Sequence, residues 1–173
     1  MRIETTELAG VHVIRPDRFE DERGYFARTF CAREFAAAGL DPHVAQCNVS
    51  CSRQRGTLRG MHFQLPPAAE TKLVRCTRGA IFDVALDVRP GSPTFGRSVG
   101  AELSAENGAM LYVPKGFAHG FQTLTDDAEV FYQMSEFYTP ELGRGVRWND
   151  PAFAIAWPLP ITVMAPRDRD YPD

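Results

Sequence analysis

The sequence predicts an all-β fold in which short antiparallel strands close into a sandwich or a barrel. From residue 44 onward, apolar and polar residues alternate with a period of two over many short segments, as they do in half-buried strands. Turn signals rich in glycine, proline, asparagine and aspartate separate these segments at regular spacing, which is typical of sandwiches and barrels. Only residues 32–38, an alanine-rich run that ends at Gly39, have the composition of a helix.

The predicted elements follow one another along the chain with short connections. Residues 11–15 alternate and form a first strand, which a Pro-Asp pair ends. Residues 19–26 are predicted to form an acidic loop that closes on an Arg-Gly turn, and a strand resumes over residues 25–30. Eight further strands are predicted, at residues 44–51, 58–64, 72–77, 80–88, 97–103, 109–113, 120–125 and 129–138. The tail from Pro140 has no regular pattern, and residues 1–173 are predicted to be one domain.

The composition is that of an ordinary globular protein. The 173 residues are 44% hydrophobic and 24% charged with a net charge of −3, and no cluster of lysine and arginine indicates a nucleic-acid partner. No apolar run approaches the ~20 residues that span a bilayer, and the polar N-terminus lacks the apolar core of a secretory signal. The four cysteines form no Cys-x-x-Cys pair and are predicted to be free thiols in a reducing compartment. We therefore expect a cytoplasmic protein without a membrane partner.

The strand predicted at residues 44–51 has one apolar and one polar face. The apolar face carries Ala45, Cys47, Val49 and Cys51, and the polar face carries Gln46, Asn48 and Ser50. In an open sheet the polar face points to solvent. In a barrel the same alternation can instead line a wet interior cavity, and the sequence leaves both arrangements open.

Residues 56–64, Gly-Thr-Leu-Arg-Gly-Met-His-Phe-Gln, carry the first candidate catalytic group. A lone histidine in a strand is more often structural, but a neutral imidazole with a pKa near ~6.5 is also a ready general base. Arg59 and Lys72 lie near His62 in the sequence, and neither is expected to be buried without an anion to pair with. Arg59 and His62 point to opposite faces of a regular strand, so both reach one ligand only if the chain bulges, which Gly60 permits.

The run Pro114-Lys115-Gly116-Phe117-Ala118-His119 resembles the second sequence motif of the cupins, which are small jelly-roll barrels. The spacing from Gly56 to His62 resembles the start of the first cupin motif. A metal-binding cupin uses three or four His and Glu ligands, whereas here Gln64 occupies the second His position and Glu70 is only loosely placed. We therefore predict a cupin-type jelly-roll β-barrel of antiparallel strands, with one or two short helices and no bound metal.

Two residues far along the chain are candidates to work with His62. Tyr132, in a predicted strand, is either a core aromatic or a phenol that donates a proton from a fixed position. Asp168, in the charged tail, is either a solvated carboxylate or an acceptor that orients a histidine. Asp83 is a rival for that orienting role. The histidines at positions 12 and 43 lack supporting residues and are predicted to be structural.

Together these motifs resemble the dTDP-4-dehydrorhamnose 3,5-epimerases, metal-free cupin-fold enzymes of deoxysugar biosynthesis. The similarity extends over nearly the whole chain and rests on many matches in the same order. They are Asp21-Glu22-Arg23-Gly24, Gln46-x-Asn48-x-Ser50, Leu58 to Gln64, Lys72-Leu73-Val74-Arg75, Phe82-Asp83-Val84, Ser92-Pro93-Thr94-Phe95-Gly96, Pro114 to Phe121, Tyr132, and Trp148-Asn149-Asp150-Pro151.

The resemblance implies a substrate and a set of roles. The family epimerises dTDP-4-dehydro-6-deoxy-D-glucose at C3 and C5, without a cofactor, to give dTDP-4-dehydro-L-rhamnose. His62 matches the family's base, Asp168 its carboxylate partner, and Tyr132 the residue that returns a proton from the opposite face. Lys72 matches a position that stabilises the enolate at C4. The residues that match substrate-binding positions are Phe19, Arg23, Gln46, Asn48, Arg59, His119 and Tyr138.

The resemblance also implies a homodimer, in which the region of Arg23 reaches the neighbour's site, and it leaves alternatives open. Arg28 and Gly143 stand where the family commonly has glutamate, and Arg167 stands where lysine is usual. The first two lie among nucleotide-side positions, so a different nucleotide stays open. A 3-only or a 5-only epimerase keeps the same residues. The more distant alternatives are a metal-dependent cupin isomerase or oxygenase and a non-catalytic sugar-nucleotide binding module.

Overall fold

The structure, a computed structural model in which residues 1–172 are described, consists of strands with a few short helical segments. Asp173, the last residue of the predicted domain, lies outside the described residues. The strands are β1 (Arg2–Thr5), β2 (His12–Arg15), β3 (Arg18–Asp21), β4 (Gly24–Ala27), β5 (Gln46–Ser52), β6 (Thr57–Gln64), β7 (Lys72–Arg78), β8 (Ala80–Asp87), β9 (Ser98–Ser104), β10 (Met110–Val113), β11 (Phe117–Thr123), β12 (Ala128–Met134), β13 (Gly143–Gly145) and β14 (Val163–Met164). The α-helices are α1 (Ala32–Ala37) and α2 (Pro166–Arg169), and Pro140–Leu142 form a 3-10 helix. Among the described residues, no helix is long and apolar enough to cross a membrane.

Two sheets face each other across the core. One has the strand order β1-β2-β10-β7-β12-β5, and the other has the order β13-β6-β11-β8-β9, with β14 added in parallel to β6. The buried apolar cluster between them includes Val74 and Val130 from the first sheet and Ile81 and Phe121 from the second. The prediction of an antiparallel all-β jelly roll with one or two short helices is confirmed.

The acidic loop predicted at residues 19–26 is wrong, because the structure has the two-stranded hairpin β3–β4 there. These strands pair antiparallel with each other and join neither large sheet. Phe19 and Phe26 on the hairpin are 66% and 65% exposed. A hairpin without a buried face leaves no alternation of apolar and polar residues, so the sequence pattern could not reveal it.

Other boundaries differ from the predicted ones where the site is built. The strand predicted at 129–138 ends before Tyr138, which lies in the loop that follows. The strand predicted at 120–125 begins earlier, at Phe117, directly after a glycine whose φ of 83° turns the chain. The tail predicted to be irregular contributes the 3-10 helix, β13, β14 and α2. These segments are too short for a periodic pattern to reveal them.

The sequence of β5 left open whether its polar face points to solvent or to the interior, and the structure shows that it points to the interior. Its polar face is half-buried, and Ser50 lines an interior cavity. Cys47, Val49 and Cys51 on the other face are exposed, and Val49 is 62% exposed. The polar face therefore points inward, with Ser50 at the cavity, and the apolar face lies outside at the edge of its sheet. All four cysteines are free thiols.

Candidate active site

A cavity of about 600 Å³ lies between the two sheets and gathers most of the predicted site residues. Strands of both sheets line it, together with the loop after β12 and helix α2. His62 and Asp168, which are 106 positions apart in the chain, meet here. The predicted site residues that line the cavity are Arg59, His62, Lys72, His119, Tyr132, Tyr138 and Asp168.

A bulge in β6 brings Arg59 and His62 to the same cavity. Across to β11, His62 pairs with His119 and Arg59 pairs with Phe121, so β6 has one more residue than β11 between these pairs. Gly60, at the bulge, has a φ of 133°, and a Cβ on it would lie 2.5 Å from the backbone of β11. Only glycine fits such a position. The bulge that Arg59 and His62 need in order to reach one ligand is therefore present.

Asp168 holds the imidazole of His62. Its Oδ1 accepts a hydrogen bond from Nε2 of His62 over 2.7 Å, and its Oδ2 accepts one from the backbone N–H of Gly60 over 3.1 Å. Burial disfavours the charge of the carboxyl, but the hydrogen bonds outweigh burial and lower the pKa of Asp168 below its ordinary value. An ionised carboxylate can only accept, so Nε2 carries the proton. Nδ1 therefore keeps a lone pair that can take a proton.

A second pair of histidine and aspartate lies beside the first. Oδ1 of Asp83 is 2.7 Å from Nε2 of His119, and both residues are buried. Within residues 1–172 the second oxygen of Asp83 has no hydrogen-bond partner. Burial raises the pKa of Asp83 above its ordinary value, against the opposing charges of His119 and Lys72. Each aspartate that the sequence offered as an orienter therefore contacts a different histidine, Asp83 contacting His119 and Asp168 contacting His62.

Tyr132 faces the cavity from the sheet opposite His62. It lies on β12, whereas His62 lies on β6 of the other sheet. Burial raises the pKa of the Tyr132 phenol, and the charge of Arg59 opposes that rise. The phenol is therefore protonated at neutral pH, and it can donate a proton into the cavity.

Lys72 supplies a buried positive charge close to His62. Its Nζ lies 2.9 Å from Oε1 of Glu70 and donates a hydrogen bond to the backbone carbonyl of His62 over 3.1 Å. Glu70 is also buried, and its Oε2 accepts from the N–H of Gln64. The ion pair and these hydrogen bonds offset the cost of burying both charges. The ammonium is thus fixed relative to the candidate base.

The residues at the positions of a cupin metal site are engaged in other contacts. The side-chain amide of Gln64 makes three hydrogen bonds to backbone atoms, over 2.6, 2.8 and 3.2 Å. Glu70 is paired with Lys72. In the described part of the chain, no group of three His, Cys, Asp or Glu side chains is arranged to hold a metal ion.

Four predicted substrate-binding residues do not line the cavity of the single chain. Phe19 lies on the exposed β3–β4 hairpin, and Arg23 lies in its turn, where it pairs with Asp21. Gln46 and Asn48 lie on β5, and each donates a hydrogen bond to the sulfur of a methionine over 3.6 Å. The histidines at positions 12 and 43, predicted to be structural, also lie outside the cavity.

The sequence did not single out Arg144 and Arg167 as binding residues, yet both line the cavity. With Arg59 they give it three guanidinium groups, whose hydrogen bonds go to neutral oxygen atoms. Guanidinium groups in such a setting suit an anion with more than one charge. Arg167 could have been found from its place directly before Asp168. Arg144 lies in the tail without a pattern, and nothing in the sequence marks it.

Comparison with known proteins finds relatives over the whole length of the chain. A family model described as dTDP-4-dehydrorhamnose 3,5-epimerase matches residues 5–173. A protein of that description from Sinorhizobium fredii is 51% identical over 173 residues, which are 99% of this chain and 89% of the relative. The crystal structure of the dTDP-4-dehydrorhamnose 3,5-epimerase of Elizabethkingia anophelis matches with a TM-score of 0.96 at 41% identity, over 99% of this chain and 95% of that one. The dTDP-6-deoxy-D-glucose-3,5-epimerase of Legionella pneumophila, in complex with dTDP-4-keto-L-rhamnose, matches with a TM-score of 0.91 at 40% identity, over 96% of this chain and 89% of that one.

Proposed function

The chain belongs to the dTDP-4-dehydrorhamnose 3,5-epimerase family, and from that premise we propose how its cavity performs the reaction. It is a carbohydrate epimerase that converts dTDP-4-dehydro-6-deoxy-D-glucose into dTDP-4-dehydro-L-rhamnose. The C4 ketone of the sugar makes the protons at C3 and C5 acidic. A proton removed from one face and returned to the other inverts the carbon. The reaction therefore needs a base, a proton donor and a group that stabilises the enolate.

The observation that carries the proposal is the placement of His62 and Tyr132 on opposite sheets around one cavity. His62 takes the proton of C3 or C5 onto Nδ1, while Asp168 stabilises the imidazolium that forms. The electron pair of the C–H bond moves into an enolate with its charge on the C4 oxygen. Tyr132 then donates its phenolic proton to the opposite face of the carbon. Exchange with solvent removes the proton from His62 and restores that of Tyr132 before the second carbon reacts.

Lys72 supplies the positive charge that stabilises the enolate in this scheme. Its ammonium is anchored by Glu70 and by the carbonyl of His62, so it needs little reorganisation when charge develops on the C4 oxygen. His119 contributes a hydrogen bond to the sugar. We propose that no cofactor takes part, because the ketone of the substrate is itself the electron sink.

Arginines are proposed to bind the diphosphate of the substrate. Arg59, Arg144 and Arg167 all line the cavity, and a diphosphate carries the charge that three guanidinium groups can neutralise. Tyr138 lines the same region, and its hydroxyl accepts a hydrogen bond from Arg167 over 3.4 Å. The sugar would then extend from these arginines toward His62.

A second copy of the chain is proposed to complete the nucleoside end of the site. Phe19 and Arg23 are exposed on a hairpin that joins neither large sheet, and neither residue lines the cavity of its own chain. In a homodimer the hairpin of one chain reaches the cavity of the other. There Phe19 stacks on the nucleobase of the substrate, and Arg23 contacts the substrate. Gln46 and Asn48, on the edge strand β5, are proposed to contact the same end of the ligand. We place the enzyme in the cytoplasm, with no nucleic-acid or membrane partner.

Mixing two inactive variants tests whether the site is shared. In a mixed dimer of Arg23→Ala and His62→Asn, one cavity receives both substitutions and the other receives neither, so activity should return after subunit exchange. If Arg23 serves its own chain, every cavity keeps one defect and the mixture stays as slow as its components. Analytical ultracentrifugation of the same samples reports whether dimers are present.

Incubation with dTDP-4-dehydro-6-deoxy-D-glucose in deuterated buffer tests the reaction itself. NMR should show deuterium at both C3 and C5, and His62→Asn should abolish most incorporation at both carbons while the variant still binds dTDP. Deuterium at one carbon alone would assign a 3-only or a 5-only epimerase. A substrate that is bound but gains no deuterium at either carbon would show a binding module rather than an enzyme.

A further inference from the structure

We infer that Tyr171 is a positioning residue for the proposed base, and this inference rests on the proposed function. Its ring lies against His62 in an edge-on arrangement, with the ring centroids 6.2 Å apart and the planes at 69°. Tyr171 does not itself line the cavity. It packs on the imidazole from the outside of the site, while Asp168 holds Nε2. The imidazole is therefore restrained by two groups of the C-terminal segment.

A glycine on the neighbouring strand makes room for this ring. Gly145 on β13 stands directly opposite His62 on β6. A Cβ on Gly145 would lie 2.1 Å from two atoms of the Tyr171 ring, which no packing arrangement tolerates. The space that a larger residue would fill is thus occupied by the ring of Tyr171. The backbone of β13 and the ring together form the wall behind the base.

The hydroxyl of Tyr171 has a separate function in holding Arg167. Nε of Arg167 donates a hydrogen bond to this hydroxyl over 2.7 Å, and the guanidinium lies 5.8 Å from the ring centroid. Arg167 directly precedes Asp168 in α2 and lines the cavity. The hydroxyl therefore orients Arg167, which we propose binds the diphosphate. The ring instead orients His62, the proposed base.

These two contacts predict two separable defects. Loss of the ring frees the imidazole to rotate about its bond to Asp168, and small misplacements of a reacting group cost up to ~10²-fold in rate. Loss of the hydroxyl alone releases Arg167 but leaves the imidazole in place. The first defect lowers kcat, and the second raises KM.

Three variants test the inference by their epimerisation kinetics. Tyr171→Ala removes both contacts, and we expect kcat to fall by ~10-fold or more and KM to rise. Tyr171→Phe keeps the ring, and we expect kcat within about twofold of the wild type with KM raised ~3- to 10-fold. Gly145→Ala displaces the ring while residue 171 remains tyrosine, so this variant should reproduce the loss of kcat. Phe95→Ala, which removes an exposed ring that packs on Phe153 away from the cavity, is the matched control and should change neither constant.

The outcomes separate this inference from the proposed function. The His62 ring-proton resonances should shift in Tyr171→Ala and in Gly145→Ala, because the ring current of Tyr171 is lost, but should stay in place in Tyr171→Phe. A wild-type kcat in Tyr171→Ala or in folded Gly145→Ala would overturn the inference, as would an equal loss of kcat in Tyr171→Phe and Tyr171→Ala. If the wild type itself exchanged no deuterium into the sugar, the proposed function would fail instead.

Discussion

The histidines of two His–Asp pairs line the same cavity, and each pair has a hydrogen bond of the same length in very different surroundings. In both pairs a carboxylate oxygen lies 2.7 Å from Nε2 of the histidine. The side chain of His62 is 38% exposed, and its partner Asp168 accepts a second hydrogen bond from the backbone. The side chain of His119 is only 9% exposed, and one oxygen of its partner Asp83 has no hydrogen-bond partner in the described residues.

The number of hydrogen-bond donors that each carboxyl group finds decides whether its pKa is lowered or raised. Asp168 has a lowered pKa, so it keeps the proton on Nε2 and leaves Nδ1 of His62 as a base. Asp83 has a raised pKa, because burial outweighs the opposing charges of His119 and Lys72. Residue types and contact distances are the same in the two pairs, so burial and hydrogen bonding make the difference.

The largest expected difference is between the two histidines themselves. A positioned general base contributes about 10²- to 10⁴-fold, so His62→Asn should lower kcat by ~10³-fold. His119→Asn retains a hydrogen-bond donor and should lower kcat by only ~10-fold. Rates of epimerisation measured by NMR, with dTDP titration to establish that both variants bind the nucleotide, check this difference. Equal losses of kcat would break the distinction between base and donor.

Substitution of Asp168 should lower kcat more than substitution of Asp83. This difference should be smaller than the difference between the two histidines. Asp168→Asn removes the ion that fixes the tautomer of His62 and stabilises its charged form, and kcat should fall ~10²-fold or more. Asp83→Asn changes the partner of a histidine that is not the proposed base, and its amide can still hydrogen-bond that histidine, so kcat should fall ~10-fold or less. Steady-state kinetics at neutral pH compare the two variants. A larger loss in Asp83→Asn than in Asp168→Asn would reverse the assignment of the pairs.

The same substitutions should have opposite effects on the pH dependence of stability. The lowered pKa of Asp168 stabilises the folded protein fully above its unfolded value of ~3.9, and this contribution is lost as the pH falls through the lower folded pKa. The raised pKa of Asp83 destabilises the folded protein as the pH rises above ~3.9 toward the higher folded pKa. Urea unfolding between about pH 2 and pH 6 should show the wild type gaining stability relative to Asp168→Asn as the pH rises to ~3.9, and losing stability relative to Asp83→Asn as the pH rises above ~3.9, by ~1.4 kcal/mol for each unit of pKa shift. Parallel curves for the two variants would contradict the opposite pKa shifts of the two carboxyl groups.

The sequence predicted the strands of the site more readily than it predicted which aspartate contacts which histidine. The period-two pattern located the strand of His62, but it began the next strand at residue 120 and so missed His119, which lies on β11. It could not assign Asp168 to His62 and Asp83 to His119, since these contacts depend on how α2 packs against the barrel and on the register of β8 with β11. The resemblance to the family suggested Asp168, but Tyr171 and its space at Gly145 required the structure, because neither residue lies in a periodic segment.

A third aspartate on the same strand as Asp83 gives the smallest expected effect on activity and sharpens the comparison. Asp87, at the end of β8, is buried outside the cavity, and its two oxygens accept hydrogen bonds from Arg89, Ser92 and Thr94 over 2.6 to 2.9 Å. Burial opposes its charge, but these donors hold the pKa of Asp87 well below its usual range.

Asp87→Asn should therefore lower the free energy of unfolding by ~2 to 3 kcal/mol at neutral pH and leave kcat within about twofold of the wild type. Because the pKa is lowered, the difference in stability should be complete above about pH 4 and should shrink as the pH falls below it. Ser92→Ala, which removes a single donor, is the control and should cost about 1 kcal/mol. If Asp87→Asn lowered kcat as much as Asp83→Asn, the loss seen at Asp83 would reflect the packing of β8 rather than a role for His119 in the site. If Asp87→Asn were as stable as the wild type, the hydrogen-bond donors around a buried carboxylate would stabilise its charge less than the comparison of the two pairs requires.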